Sequence, residues 1–150
     1  MTVLVSDEQH RPLDADRLRG LAGYVLADRG APAGMELSIL CVEPSVIARL
    51  NARHLGVDAA TDVLAFPIDT PGTDPGGPPR ILGDVVVCPD VAAEQAAASG
   101  RPLQDELDVL VVHGILHLLG HDHAEPAERD AMFALTDRLL AGFNGARGVT

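Results

Sequence analysis

The chain has 150 residues, 47% of them apolar and 22% charged, a balance that excludes a disordered or fibrous chain and fits one self-sufficient globular domain. Twenty-two acids face eleven bases, all of them arginine, and the formal charge of −11 weighs against wrapping a phosphate backbone by bulk attraction. No apolar run approaches the roughly 18 residues of a membrane span, and the N-terminus lacks the basic head and long apolar core of a secretory signal, so a cytoplasmic location is expected.

The elements follow from periodicity and punctuation. Val3 to Ser6 reads as a short strand, and Asp14 to Arg29 as an amphipathic helix with Leu18, Leu21, Ala22, Val25 and Leu26 on one stripe and Gly30 as its stop. Glu36 to Val42 is apolar and β-branched, as a buried strand requires. Pro44 to His54 reads as a helix with Val46, Ile47 and Leu50 inward. Asp62 to Phe66 and Ile81 to Cys88 read as two further strands, the second bulged at Gly83. Residues 67–79 between them hold five Pro and three Gly and read as a surface loop. Asp90 to Ser99 and Leu103 to Leu119 read as helices closed by Gly100 and Gly120, and Pro126 to Leu140 as a last helix followed by a frayed tail over 142–150. Cys41 and Cys88 are expected mid-strand as reduced, buried thiols. Strands and helices interleave irregularly, so residues 1–150 are expected to form one domain with a mixed sheet covered by helices.

Four of the six histidines fall between His113 and His123. His113 and His117 are four apart on a helix, so both imidazoles rise from one face within reach of one metal. Gly120 can turn the chain back, and His123 then supplies a third ligand. This H-x3-H-x2-G-x2-H spacing is that of the metzincin zinc proteases, and three ligands with an open fourth position are the catalytic form of a zinc site. The glutamate that serves those proteases as general base is here Gly114, so the metal geometry survives without the peptidase base. His121 fits a pocket wall better than the ligand set, and Asp122 either orients a ligand histidine or caps the turn.

These residues resemble a known family. The run from His113 to His123 matches the H-G-x-L-H-L-x-G-[YH]-D-H motif of the YbeY endoribonucleases at every fixed position. Asn51 and the stretch Thr61-Asp62-Val63-Leu64-Ala65-Phe66 resemble the family's L-N-x-x-[YF]-R-G-x-D-x-x-T-D-V-L-S-F block, and Leu82 to Cys88 its G-D-I-x-I-C strand. The likeness runs from about Val3 to Leu140. It implies a small α+β fold with a mixed four-stranded sheet covered by helices and a zincin-like three-His site at a helix end, with one Zn2+ per chain on His113, His117 and His123 as the catalytic and metal residues. It further implies cleavage of single-stranded rRNA in maturation of the 16S 3′ end and in ribosome quality control. The implied partners are the small ribosomal subunit and its assembly factors, with no DNA and no membrane. Three positions depart from the block: His54 stands at the aromatic, Leu55 where a basic residue is usual, and Ala65 at the serine.

A zinc held by three neutral imidazoles keeps its full double charge, which suits phosphodiester hydrolysis; the nucleophile is either water or the 2′-hydroxyl. Thr61, Asp62 and Asp84 are candidates to face the metal, with half-buried structural roles as the competing reading. The rival functions are a zinc hydrolase acting on peptides or small molecules and a non-catalytic ribosome-assembly factor with a structural metal. Arg49 and Arg53, four apart on one helix, are candidates to grip consecutive phosphates in place of the family's missing basic residue.

Overall fold

The computed structural model describes residues 2–69, 80–121 and 124–148. In chain order these form β1 (Thr2–Glu8), α1 (Ala15–Asp28), β2 (Met35–Val42), α2 (Pro44–Leu55), β3 (Val63–Pro67), β4 (Arg80–Val87), α3 (Pro89–Ser99), α4 (Leu103–Leu118) and α5 (Pro126–Gly148). The sheet runs β1-β2-β4-β3, with the first three strands parallel and β3 antiparallel at the edge. This is the expected mixed four-stranded α+β fold.

Strand alternation sorts the sheet into two faces. Leu37, Ile39 and Cys41 of β2, with Val85 and Val87 of β4, join α1, α4 and α5 in the larger core. Val42, Val86 and Leu64 point the other way and bury Ile47 of α2. The β2–β4 pairing passes from Glu36–Ile81 to Leu37–Gly83, which leaves Leu82 as the extra residue of a bulge. The bulge therefore falls one position before the expected Gly83. Its effect is to bring both Leu82 and Val85 to the larger core, three residues apart on a strand. Gly83 answers a different need, since a Cβ there would lie 2.4 Å from the Phe66 carbonyl oxygen.

Three sequence expectations are corrected. The surface loop does not start at Pro67: Ile68 and Asp69 donate their N–H groups to Leu82 and Ile81 at 3.1 and 2.8 Å, so the hairpin continues past β3. Residues 70–79 of that loop lie outside the described residues. The tail expected to fray from 142 is helical through Gly148, because Phe143 is buried against Tyr24 and Asn144 accepts from Arg17 at 2.8 Å. Cys41 lies within β2, but Cys88 follows β4 as the N-cap residue of α3. Both thiols are free and buried, on opposite faces of the sheet, and burial pushes Cys41 up to about 12.

Candidate active site

α4 is apolar nearly all round and is correspondingly buried, with Leu107, Leu110, Val111, Val112, Ile115, Leu116 and Leu118 in the larger core. It packs against α1, α3, α5, β3 and β4. The side left open carries the histidines: His113 is half-buried and His117, one turn on, is exposed. Gly114 lets this helix approach the sheet, for a Cβ there would meet Val85 Cγ1 at 2.6 Å. The residue that removes the protease glutamate is thus also the one that seats α4 on β4. The helix ends in a Schellman turn: His121 donates its N–H to Leu116 at 3.0 Å, Gly120 to His117 at 3.0 Å, and Gly120 takes φ 98°. That is the turn expected to redirect the chain. Asp122 and His123 themselves lie outside the described residues.

His113 and His117 line a cleft of about 860 Å³, within the range of ligand sites. One wall is the C-terminal end of α2 with Asn51, His54 and Leu55; another is the segment from Thr61 through edge strand β3; α5 closes the third with Arg129, Met132 and Phe133. α2 stops because Gly56 is left-handed at φ 72° and its N–H returns to Ala52. The loop that follows is tied down by Asn51, buried at 6% exposure, whose Nδ2 donates to the Ala59 carbonyl at 3.0 Å. Asp62 is fixed at both ends. Its carbonyl accepts from the Cys88 N–H at 2.9 Å, while Oδ1 accepts from the Val63 N–H at 2.8 Å and the Thr61 hydroxyl at 3.3 Å. The cleft therefore holds a positioned carboxylate on the wall formed by the Thr61–β3 segment.

The structure brings Thr61, Asp62, His113 and His117 to this cleft and leaves Asp84, His121, Arg49 and Arg53 elsewhere. Asp84 is not among its lining residues: it is paired with Phe66 and Ser38 and in phase with Val86, on the sheet face away from α4. Burial there raises the Asp84 carboxyl above its usual range. His121 is half-buried outside the cleft lining, and burial, then the Arg29 charge, lower its pKa. Arg49 and Arg53 are exposed on α2 and do not line the cleft either; the cleft's arginine is Arg129. Sequence reasoning missed Arg129 and both aromatic pairs, His54–Phe66 with ring centroids 4.8 Å apart and His113–Phe133 at 5.3 Å. The fourfold spacing of Arg129 and Phe133 was visible, but nothing local ties α5 to the α4 histidines.

A second cluster also escaped the sequence. His10, Glu43 and Asp90 follow the C-terminal ends of β1, β2 and β4, and among the described residues this trio is close enough to hold a metal ion. Its contacts are those of an ion-pair network. His10 Nδ1 meets both Glu43 oxygens at 2.9 and 3.1 Å, its Nε2 lies 3.5 Å from Asp90, and Arg11 Nε donates to the same Asp90 oxygen. The Glu43 hydrogen bond and then the Asp90 charge raise the His10 pKa, favouring a proton on the ring.

A small α+β chain whose central helix presents an i, i+4 histidine pair to an open cleft, beside a fixed carboxylate, has the build of a hydrolytic enzyme rather than a closed structural module. The family model described as Endoribonuclease YbeY matches residues 4–144, and the chain belongs to that family. Proteins named endoribonuclease YbeY from Salinispora tropica and Thermobifida fusca are 44% and 47% identical to it, over 98% and 95% of this chain and 99% and 94% of theirs. One from Mycobacterium tuberculosis is 44% identical over 93% of this chain and 82% of its own. The solution structure of a Thermotoga maritima protein shares the fold, with a TM-score of 0.65 at 24% identity over 98% and 92% of the two chains. The family supports an endoribonuclease role.

Two imidazoles on the open side of one helix fit a zinc ion in ligand type and in spacing.

Proposed function

We propose that this chain is a zinc-dependent endoribonuclease specific for single strands, acting in 16S rRNA 3′-end maturation and ribosome quality control. One zinc per chain is held by His113, His117 and His123. The observation that carries the reading is the pairing of His113 and His117 on the floor of a cleft, in a chain of the YbeY family. Zinc bound there supplies a Lewis acid for the charge that develops on a phosphodiester in its transition state. The chain's own groups do the rest. Asp62, with Oδ1 already engaged by Val63 and Thr61, offers a carboxylate that orients an imidazole or holds a proton at the cleft wall. Edge strand β3 and α5 confine the substrate between them. The working compartment is the cytoplasm, and the partners are single-stranded rRNA and the small ribosomal subunit.

The peptidase reading has no support at position 114. A carboxylate there would need a Cβ where Val85 already sits, so this packing admits no glutamate base.

The test combines metal analysis with cleavage. Zinc-loaded protein is expected to carry one equivalent, and His113→Ala, His117→Ala and His123→Ala to lose it. Chelation should abolish cleavage of a single-stranded RNA, and added zinc restore it. His117→Ala protein that keeps a full equivalent, or chelated protein that cleaves undiminished, would overturn the assignment.

A further inference from the structure

We infer that Arg129 and Phe133 form a nucleotide subsite at the cleft mouth, in which one unpaired base stacks on the Phe133 ring and its phosphate is held by the Arg129 guanidinium. The inference rests on the endoribonuclease reading and supplies its single-strand preference with a physical cause.

Phenylalanine is scarce here, three in the chain, and two of them line this cleft. Phe133 is 50% exposed, although the chain has a core able to bury such a ring, as it does Phe143. Its ring is tilted 56° to that of His113, with centroids 5.3 Å apart, so part of it packs on the histidine and part faces the cleft. Arg129 stands one helical turn earlier, at i−4, where the two Cβ atoms are about 6 Å apart. That distance is on the scale of one nucleotide from phosphate to base. Met132 between them is buried in the larger core and fixes the rotation of α5, so both side chains are aimed by packing rather than by a loop. Arg129 is exposed and, like Arg49, Arg53 and Arg80, belongs to none of the ion pairs of the described residues; of these four it is the one that lines the cleft. Its neighbours Glu128 and Asp130 are adjacent in sequence and so point elsewhere around the helix, and Glu125, one turn earlier on the same side, makes no ion pair with it among the described residues.

The chemistry then selects the ligand. A flat ring beside a guanidinium recognises a base with its phosphate, and every base offers a π-face, so the subsite tolerates sequence. A base stacked within a duplex cannot leave its neighbours to reach the ring without unpairing. Single strands are favoured for that reason.

The experiment uses the full chain and a fluorescein-labelled, uncleavable single-stranded RNA with 2′-O-methyl sugars, together with the same RNA carrying one abasic site moved along its length. Wild-type protein should bind about tenfold more weakly when the base is removed at one position. Phe133→Ala should bind the intact RNA about tenfold more weakly and be blind to the abasic site there, while Phe133→Tyr keeps both properties. Phe133→Leu preserves apolar bulk without a flat face and should behave as the alanine variant does. Arg129→Ala should lower the slope of log K against log salt by about 0.7, one single-strand phosphate. An unchanged abasic profile in Phe133→Ala, or full affinity in Phe133→Leu, would overturn the subsite. Cleavage of the unmodified RNA by zinc-loaded protein separates the two readings. Cleavage with an unchanged Phe133→Ala profile removes the subsite alone, and the expected profile without cleavage removes the nuclease reading alone.

Discussion

Asp84 sits half-buried on β4, and loss of water raises its carboxyl pKa. A raised acid binds protons more tightly in the folded state than in the unfolded one. Stability therefore falls as pH rises through the interval between the ordinary carboxylate value and the raised one. Asp84→Asn is accordingly expected to raise the melting temperature at pH 7, with the gain disappearing below the ordinary carboxylate pKa. An Asn variant melting lower at neutral pH would show that the carboxylate makes a compensating interaction. Gly114 tests the seating of α4: Gly114→Ala forces a methyl into Val85 and should cost about 1–3 kcal/mol in urea unfolding, whereas a neutral result would mean the helix can lift freely. At this scale the sequence was informative where the signal is local. His113 and His117 share one helix turn, so their spacing alone predicts a shared face. Arg129 and Phe133 carry the same spacing, yet only the packing of α5 on α4 places them beside His113. For Asp84 the sequence left a pocket role and a half-buried structural role open, because a motif position does not reveal which face of a bulged strand it occupies; the structure places it half-buried on the face away from α4.

The helices hold together through polar as well as apolar contacts, and the clearest case joins α1 to α4. Asp108 is 3% exposed and accepts from Arg17 Nε at 3.2 Å, Arg17 Nη2 at 2.6 Å and Gln104 Nε2 at 2.8 Å. Such a pair adds little beyond an apolar replacement of the same shape, but removing one partner strands a buried charge. Arg17→Ala should thus cost about 3–5 kcal/mol by chemical denaturation. A loss below about 1 kcal/mol would show that removing Arg17 does not strand the Asp108 carboxylate. Element positions were legible to within a residue or two because caps are local: Pro44 and Pro126 open helices, and Gly30, Gly100 and Gly120 close them with positive φ. The length of α5 was not. Its last turns depend on Phe143 reaching Tyr24 and Asn144 reaching Arg17, contacts made across more than a hundred residues of chain.

On the scale of the whole molecule, an acidic protein presents an open cleft with two histidines on its floor, a fixed carboxylate on one wall and an arginine on another. Interleaved strands and helices foretold a mixed sheet covered by helices, and the family motifs the rest of the fold; the composition of the cleft was not legible, since its walls come from α2, β3, α4 and α5. Bulk charge repels RNA, so productive binding must come from these few groups, and catalysis must fail when the floor is altered. The most direct measurement is the single-turnover cleavage rate of a labelled RNA, as a single strand and as a duplex, by zinc-supplemented wild-type protein and His117→Ala. Wild-type protein is expected to cleave the single strand and to cleave the duplex at least tenfold more slowly, and His117→Ala, a folded variant because His117 is exposed, to lose both activities. Equal rates from wild type and His117→Ala would contradict this expectation.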